Sequence, residues 1–119
     1  MKLLTKDIHE KLLKNGRIRT AFSEEGKAEP DFLPVVKLFT PDAQCTWLLT
    51  ELHPNEPDIA FGLCDLGMGC PELGSVRISE IESVRGQLGL PVERDRFFTA
   101  TKTIDAYADE AWQLGYIKA

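Results

Sequence analysis

Cysteine and histidine are the side chains here best suited to nucleophilic or metal chemistry, and the chain carries Cys45, Cys64, Cys70, His9 and His53. A catalytic cysteine needs a neighbour that favours its thiolate, such as a protonated histidine, a lysine or a helix N-terminus. Asp65 follows Cys64 directly and does the opposite. Cys70 with His53 as its base is the pairing left open, on sequence proximity alone. Five residues separate Cys64 from Cys70, whereas zinc knuckles space their cysteines by roughly two to four. His9-Glu10 opens like a metalloprotease helix, but Leu13 stands where the second ligand belongs. The expectation is therefore no catalytic residue, no metal site and no cofactor.

The least interchangeable stretch is Phe61 to Gly74, an alternating apolar strand that runs into a loop punctuated by Gly67, Gly69 and Pro71. Glycine enters positive φ freely and proline fixes φ, so this backbone needs special dihedrals. Gly67-Met68-Gly69 has the spelling of an anion-binding nest, in which successive amides point into one concavity. Yet Asp65 and Glu72 flank it, and no lysine completes a phosphate loop. A ligand site here would draw on His53, Asp65, Gly67, Gly69, Cys70 and Glu72, and would need a pocket with perturbed titrating groups. The same acids and His53 would hold a divalent ion only if their loops met at one end of the sheet. A wide turn between two strands is the simpler reading.

Charge is distributed more tellingly than its total of −5. Residues 1 to 19 hold six cations (Lys2, Lys6, Lys11, Lys14, Arg17, Arg19) against Asp7 and Glu10, a surplus of four, so the remainder carries −9. Between Lys37 and Arg77 there is no Lys or Arg, while Asp42, Glu51, Glu56, Asp58, Asp65 and Glu72 all fall there. Such a tract repels phosphate backbones and attracts basic surfaces. Direct nucleic-acid binding is expected at most weakly, through the basic N-terminal helix, whose simpler role is a solvated face.

The elements that must position these residues follow from periodicity. Thr5 is the N-cap of a first helix with Leu4, Ile8, Leu12 and Leu13 on its apolar side and Gly16 as its stop, and a polar connection follows to Pro34. Leu33 to Phe39 and Gln44 to Leu52 form a hairpin across a Pro41 turn. Cys45, Trp47 and Leu49 lie on one face of it, and Thr46, Leu48, Thr50 and Leu52 on the other. His53 to Asp58 is an exposed loop, and Ile59 to Cys64 and Ser75 to Ile78 are further strands. Ser79 with Glu82 spells a capping box for a short helix that Gly86 or Gly89 ends. Pro91 to Phe98 alternates charge as an edge strand does. The last helix spans 103–115, with Ile104, Tyr107, Ala108, Ala111 and Trp112 on one stripe and Gly115 as its end.

Together these predict an α+β protein. A small antiparallel meander of about four strands packs with N-terminal and C-terminal helices and one short helix. The 119 residues form a single domain, with a helix over 1–16, a sheet-bearing core over 33–98 and a helix over 103–115. The polar start, the odd cysteine count and the lack of a long apolar run predict a cytoplasmic protein without a signal peptide or membrane contact.

The strings Val35 to Ala43, Thr46 to Leu52, Asp58 to Gly74 and Leu88 to Asp95 resemble an uncharacterised bacterial family of unknown function. That family is met mainly on proteobacterial plasmids and conjugative or integrative elements. The resemblance covers roughly residues 33 to 98 and departs at His53, where an acid is expected, and at Ser75, where an aromatic is commoner. It implies a mobile-element context and no mechanism.

Two functions compete. The first is a non-catalytic interaction module whose acidic face (Asp42, Glu51, Glu56, Asp58, Asp65, Glu72) binds a basic partner protein. The partner would be a host defence or DNA-handling component, as in counter-defence by nucleic-acid mimicry. The second is a small enzyme or a ligand- or metal-binding domain centred on the glycine loop. The first rests on one premise, that the acids are not neutralised within the chain.

Overall fold

The computed structural model describes residues 3–119, so Lys2 of the basic segment lies outside the described residues. Thr5 caps the first helix as its spacing predicts, its hydroxyl accepting the Ile8 amide at 3.2 Å. The helix α1 (Lys6–Glu24) does not stop at Gly16, however, and absorbs half of the expected polar connection. Gly16 is buried within it because a Cβ there would lie 1.9 Å from the carbonyl oxygen of Leu52. This glycine allows close approach and does not end the helix.

The sheet has five strands, one more than expected: β1 (Val36–Phe39), β2 (Thr46–His53), β3 (Glu56–Asp65), β4 (Glu72–Arg77) and β5 (Glu93–Arg94). Their order is β4-β3-β2-β1-β5 and every pairing is antiparallel. The meander is as predicted, and the added strand is two residues of the charged 91–98 segment paired on Leu38 and Phe39. The Pro41 turn closes β1 on β2. His53 to Asp58 is no open loop, because His53 pairs with Glu56 and the chain reverses over Pro54-Asn55.

Strand β2 departs from simple alternation. Leu49 pairs with Gly62 and Glu51 with Phe61, so Thr50 is an extra residue and a bulge shifts the phase. Leu52 therefore joins Trp47 and Leu49, not Leu48. On that side the core also takes Leu3 and Leu12 with Val36, Leu38, Ala60 and Ile81. The other side packs Leu48 and Leu63 against Ile104, Tyr107, Ala108 and Ala111 of α3 (Ile104–Leu114). Each leucine, isoleucine or valine among them contributes about 1.5–3 kcal/mol on full burial.

Beyond Leu49, β1 no longer flanks β2, and α1 takes up that position. Asn15 Nδ2 donates to the Thr50 carbonyl at 2.9 Å, which satisfies a strand group that has no neighbouring strand.

The short helix α2 (Ile78–Ser83) begins one residue before the expected cap. Ser79 lies inside it, and both its amide and its hydroxyl donate to Asp58, at 2.9 and 2.7 Å. The helix ends at Val84, before either glycine. Gly115 ends α3 at φ 82, as predicted. Trp112 leaves the buried stripe: its ring is half exposed, and its indole N–H donates to the Pro71 carbonyl at 2.7 Å. No described helix is long and apolar enough to cross a membrane.

Candidate functional site

The sequence-predicted residues fall into three places. Asp42, Asp65 and Glu72 lie at one end of the sheet, Glu56, Asp58 and His53 at the other, and Glu51 between them in the interior. Thr46 pairs with Asp65 and His53 with Glu56 at opposite ends of one ladder, so His53 does not meet the glycine loop. A Cys70–His53 pair and a metal set of His53, Asp65 and Glu72 are thereby separated.

At the first end, two carboxylates act as acceptors for backbone. Asp42 Oδ2 receives the amides of Leu88 and Leu90 at 2.7 and 3.2 Å. Asp65 is buried, and its oxygens receive Gly67 at 2.9 Å and Ile117 at 3.1 Å. These bonds tie four segments in two pairs, 41–45 to 86–90 and, with Trp112 on Pro71, 65–72 to 112–117. Gly67 and Gly69 hold φ of 77° and 79°, as the loop's composition predicts. Glu72 is exposed. A hollow of about 510 Å³ runs beside the loop, lined by Gln44, Thr46, Asp65, Gly67, Gly115 and Tyr116.

What charge reasoning missed at this end is its apolar surface. Leu66, Met68 (75% exposed), Leu88 (81% exposed), Leu90, Trp112, Leu114 and Tyr116 all sit on these segments or on the end of α3 that feeds them. The four segments contain no lysine or arginine. The signal was legible: Leu-Gly-Met-Gly and Gly-Gln-Leu-Gly-Leu place large apolar residues in turns, where nothing in the fold buries them.

At the opposite end the acids have internal cations. Arg77 lies 3.8 Å from Glu56 and 3.6 Å from Asp58. Asp58 is held below the ordinary carboxylate range, first by the Ser79 hydroxyl, then by the Ser79 amide, with Arg77 adding to both.

Glu51 is 5% exposed. Its Oε2 receives Arg19 Nε at 2.5 Å and its Oε1 receives the Thr50 hydroxyl at 3.1 Å. The Arg19 guanidinium also lies over the rings of Phe61 and Phe32, at 5.1 and 5.9 Å. Arg19 reaches this position because α1 continues past Gly16, which places Leu12, Asn15, Gly16 and Arg19 on one helical stripe. Lys6, Lys11, Lys14 and Arg17 face solvent.

The cysteines are free. Burial pushes the Cys64 thiol up to about 11, which leaves it protonated at neutral pH. Cys70 is exposed on the glycine loop.

Among the described residues, three helices on an antiparallel five-stranded sheet make this an α+β protein. The chain belongs to the family described as protein of unknown function (DUF2958), whose model matches residues 3–118 and so extends over both terminal helices. No curated protein and no solved structure matches it.

Proposed function

We propose that the chain is a non-catalytic protein-binding module whose contact surface is the apolar, cation-free end built from the four tied segments. The observation that carries this reading is the gathering of Leu66, Met68, Leu88, Leu90, Trp112 and Tyr116, all exposed, at one end of the sheet. Contiguous exposed apolar surface on a folded chain marks a contact site, and Trp, Tyr and Met are enriched at such sites. Asp42 and Asp65 hold the segments in place, and Glu72 supplies exposed negative charge beside them.

The partner is a basic protein that presents an apolar patch rimmed by Lys or Arg. Net charge of −5 and the exposed Glu72, among segments that hold no lysine or arginine, support that chemistry. The resemblance to mobile-element proteins favours a host defence or DNA-handling component as that partner, met in counter-defence.

Affinity purification of the tagged chain from its native host, followed by mass spectrometry, tests the reading. A basic protein should be recovered with the wild type and lost with the double variant Leu66→Glu/Met68→Glu. Recovery should fall at high salt without vanishing, because the centre of the surface is apolar. Equal recovery by the double variant would refute the placement of the surface.

A second reading, a small ligand beside the glycine loop, is favoured by the hollow of about 510 Å³. It predicts amide shifts confined to Gly67, Gly69 and Gly115 on titration with small anions and nucleotides, and their absence counts against it.

A further inference from the structure

The sheet face that carries α3 is covered only in part. Leu48, Leu63 and Leu73 form one row across β2, β3 and β4 and pack under α3. One row further on, Glu51, Phe61 and Ser75 line a cavity of about 200 Å³ together with Ile59, His53, Arg19 and the exposed Glu29. Pockets for drug-sized ligands begin at roughly 300 Å³, so the occupant is a small molecule.

The donors and acceptors in this cavity do not balance. Glu51 is engaged on both oxygens, by Arg19 on Oε2 and on Oε1 by the Thr50 hydroxyl, which it shares with the Phe61 carbonyl. Arg19 has donors to spare: Nε serves Glu51, Nη2 reaches the Pro30 carbonyl at 3.4 Å, and Nη1 faces Glu29 at 3.5 Å. A distance of 3.5 Å is long for a hydrogen bond, and the Glu29 side chain is 86% exposed. The Asn55 amide donates to Nδ1 of His53, which places the imidazole proton on Nε2 and makes that nitrogen a donor. Ser75 adds a hydroxyl. The floor, Ile59 and Phe61, is apolar.

We propose that this cavity binds a small carboxylate with an apolar body. The carboxylate takes Arg19 Nη1 in place of Glu29, with His53 Nε2 and the Ser75 hydroxyl as further donors, and the body rests on Ile59 and Phe61. One carboxylate replaces another on the guanidinium, so the charge at Arg19 is unchanged by binding. Glu29 acts as an internal competitor that occupies the guanidinium until a ligand arrives. The site is independent of the protein-binding end, from which it is separated by the row under α3.

Titration of the isotopically labelled chain with acetate and benzoate, at ionic strength held constant with chloride, tests the proposal. Benzamide serves as the uncharged match for benzoate. The Arg19 Nε–H resonance should move saturably with benzoate in the millimolar range, less with acetate and not with benzamide. Glu29→Gln, in an exposed segment, should tighten benzoate about threefold, the worth of an exposed ion pair, and Ser75→Ala should weaken it. An Arg19 resonance unmoved by either carboxylate, or moved as much by benzamide, would overturn the proposal. So would an affinity unchanged in Glu29→Gln.

Discussion

Gly16 of α1 meets the main chain at Leu52 with no space for a side chain: a Cβ would stand 1.9 Å from the carbonyl oxygen and 3.0 Å from its carbon. Both atoms are backbone and cannot rotate away. Alanine in mid-helix gains about 1 kcal/mol over glycine from propensity, while overpacking of this kind costs about 1–3 kcal/mol and more when backbone must shift. The clash wins. Gly16→Ala should lower stability by about 2 kcal/mol, read as a lower urea midpoint at unchanged slope. A stabilised variant would mean that the helix stands off from β2.

Asp58 fastens α2 to β3 through Ser79. Its carboxyl is depressed below the ordinary value of 3.8, so it adds stability above that value and loses it as pH falls through the folded pKa. Asp58→Asn should lower the melting temperature at neutral pH. It should also flatten the decline from about pH 5 to pH 3, and parallel pH profiles for the two proteins would disprove the latch.

Asp105 works in the other direction. Desolvation raises its pKa most, and the neighbouring Asp31 and Asp109 raise it further. The folded state therefore holds the proton more tightly than the unfolded one, and stability is gained as pH falls through the raised folded value. Asp31 already supplies an acceptor to the α3 N-terminus, through the Asp105 amide at 3.1 Å. Asp105→Asn should raise the melting temperature slightly at pH 7, and the gain should disappear as pH falls well below 3.8, where the carboxyl is protonated in both states. A loss at pH 7 would mean that the charge of Asp105 serves the helix terminus.

Cys64 of β3 and Cys70 of the glycine loop should differ in reactivity. Cys64 is half-buried with its thiol pushed up to about 11, and Cys70 is exposed. Iodoacetamide at pH 7.5 should modify Cys70 at the rate of an unactivated thiol and leave Cys64 intact until the chain unfolds. Cys70 reacting much faster than free cysteine would reveal an activating base that the fold does not place beside it.

Much of the architecture was legible, because Thr5, the apolar stripe of α3 and Gly115 are local signals that act within one turn of their own position. Gly16 misled for a physical reason. Its meaning lies in a carbonyl that belongs to Leu52, and no local spacing announces that. The bulge at Thr50 had the same effect on β2: one unpaired residue moved Leu52 to the other face. The acids were visible as charge, but which donors they would meet was not. Asp42, Asp58 and Asp65 bind amides distant in sequence, and Glu51 is enclosed with Arg19. The premise that these carboxylates stand free of internal partners therefore does not describe them, and of the six Glu72 stands exposed on the tied end.

The place of α1 beside β2 sets an order of events during synthesis. The helix leaves the ribosome first, yet the strand it shields is complete only when His53 has been made. Until then it must wait in water, and its makeup suits that: Lys6, Asp7, Glu10, Lys11, Lys14 and Arg17 give it one wholly charged face. Once the hairpins have formed, the same helix closes over the stretch of β2 that β1 leaves bare, so the first element made docks only after strands that follow it in the chain.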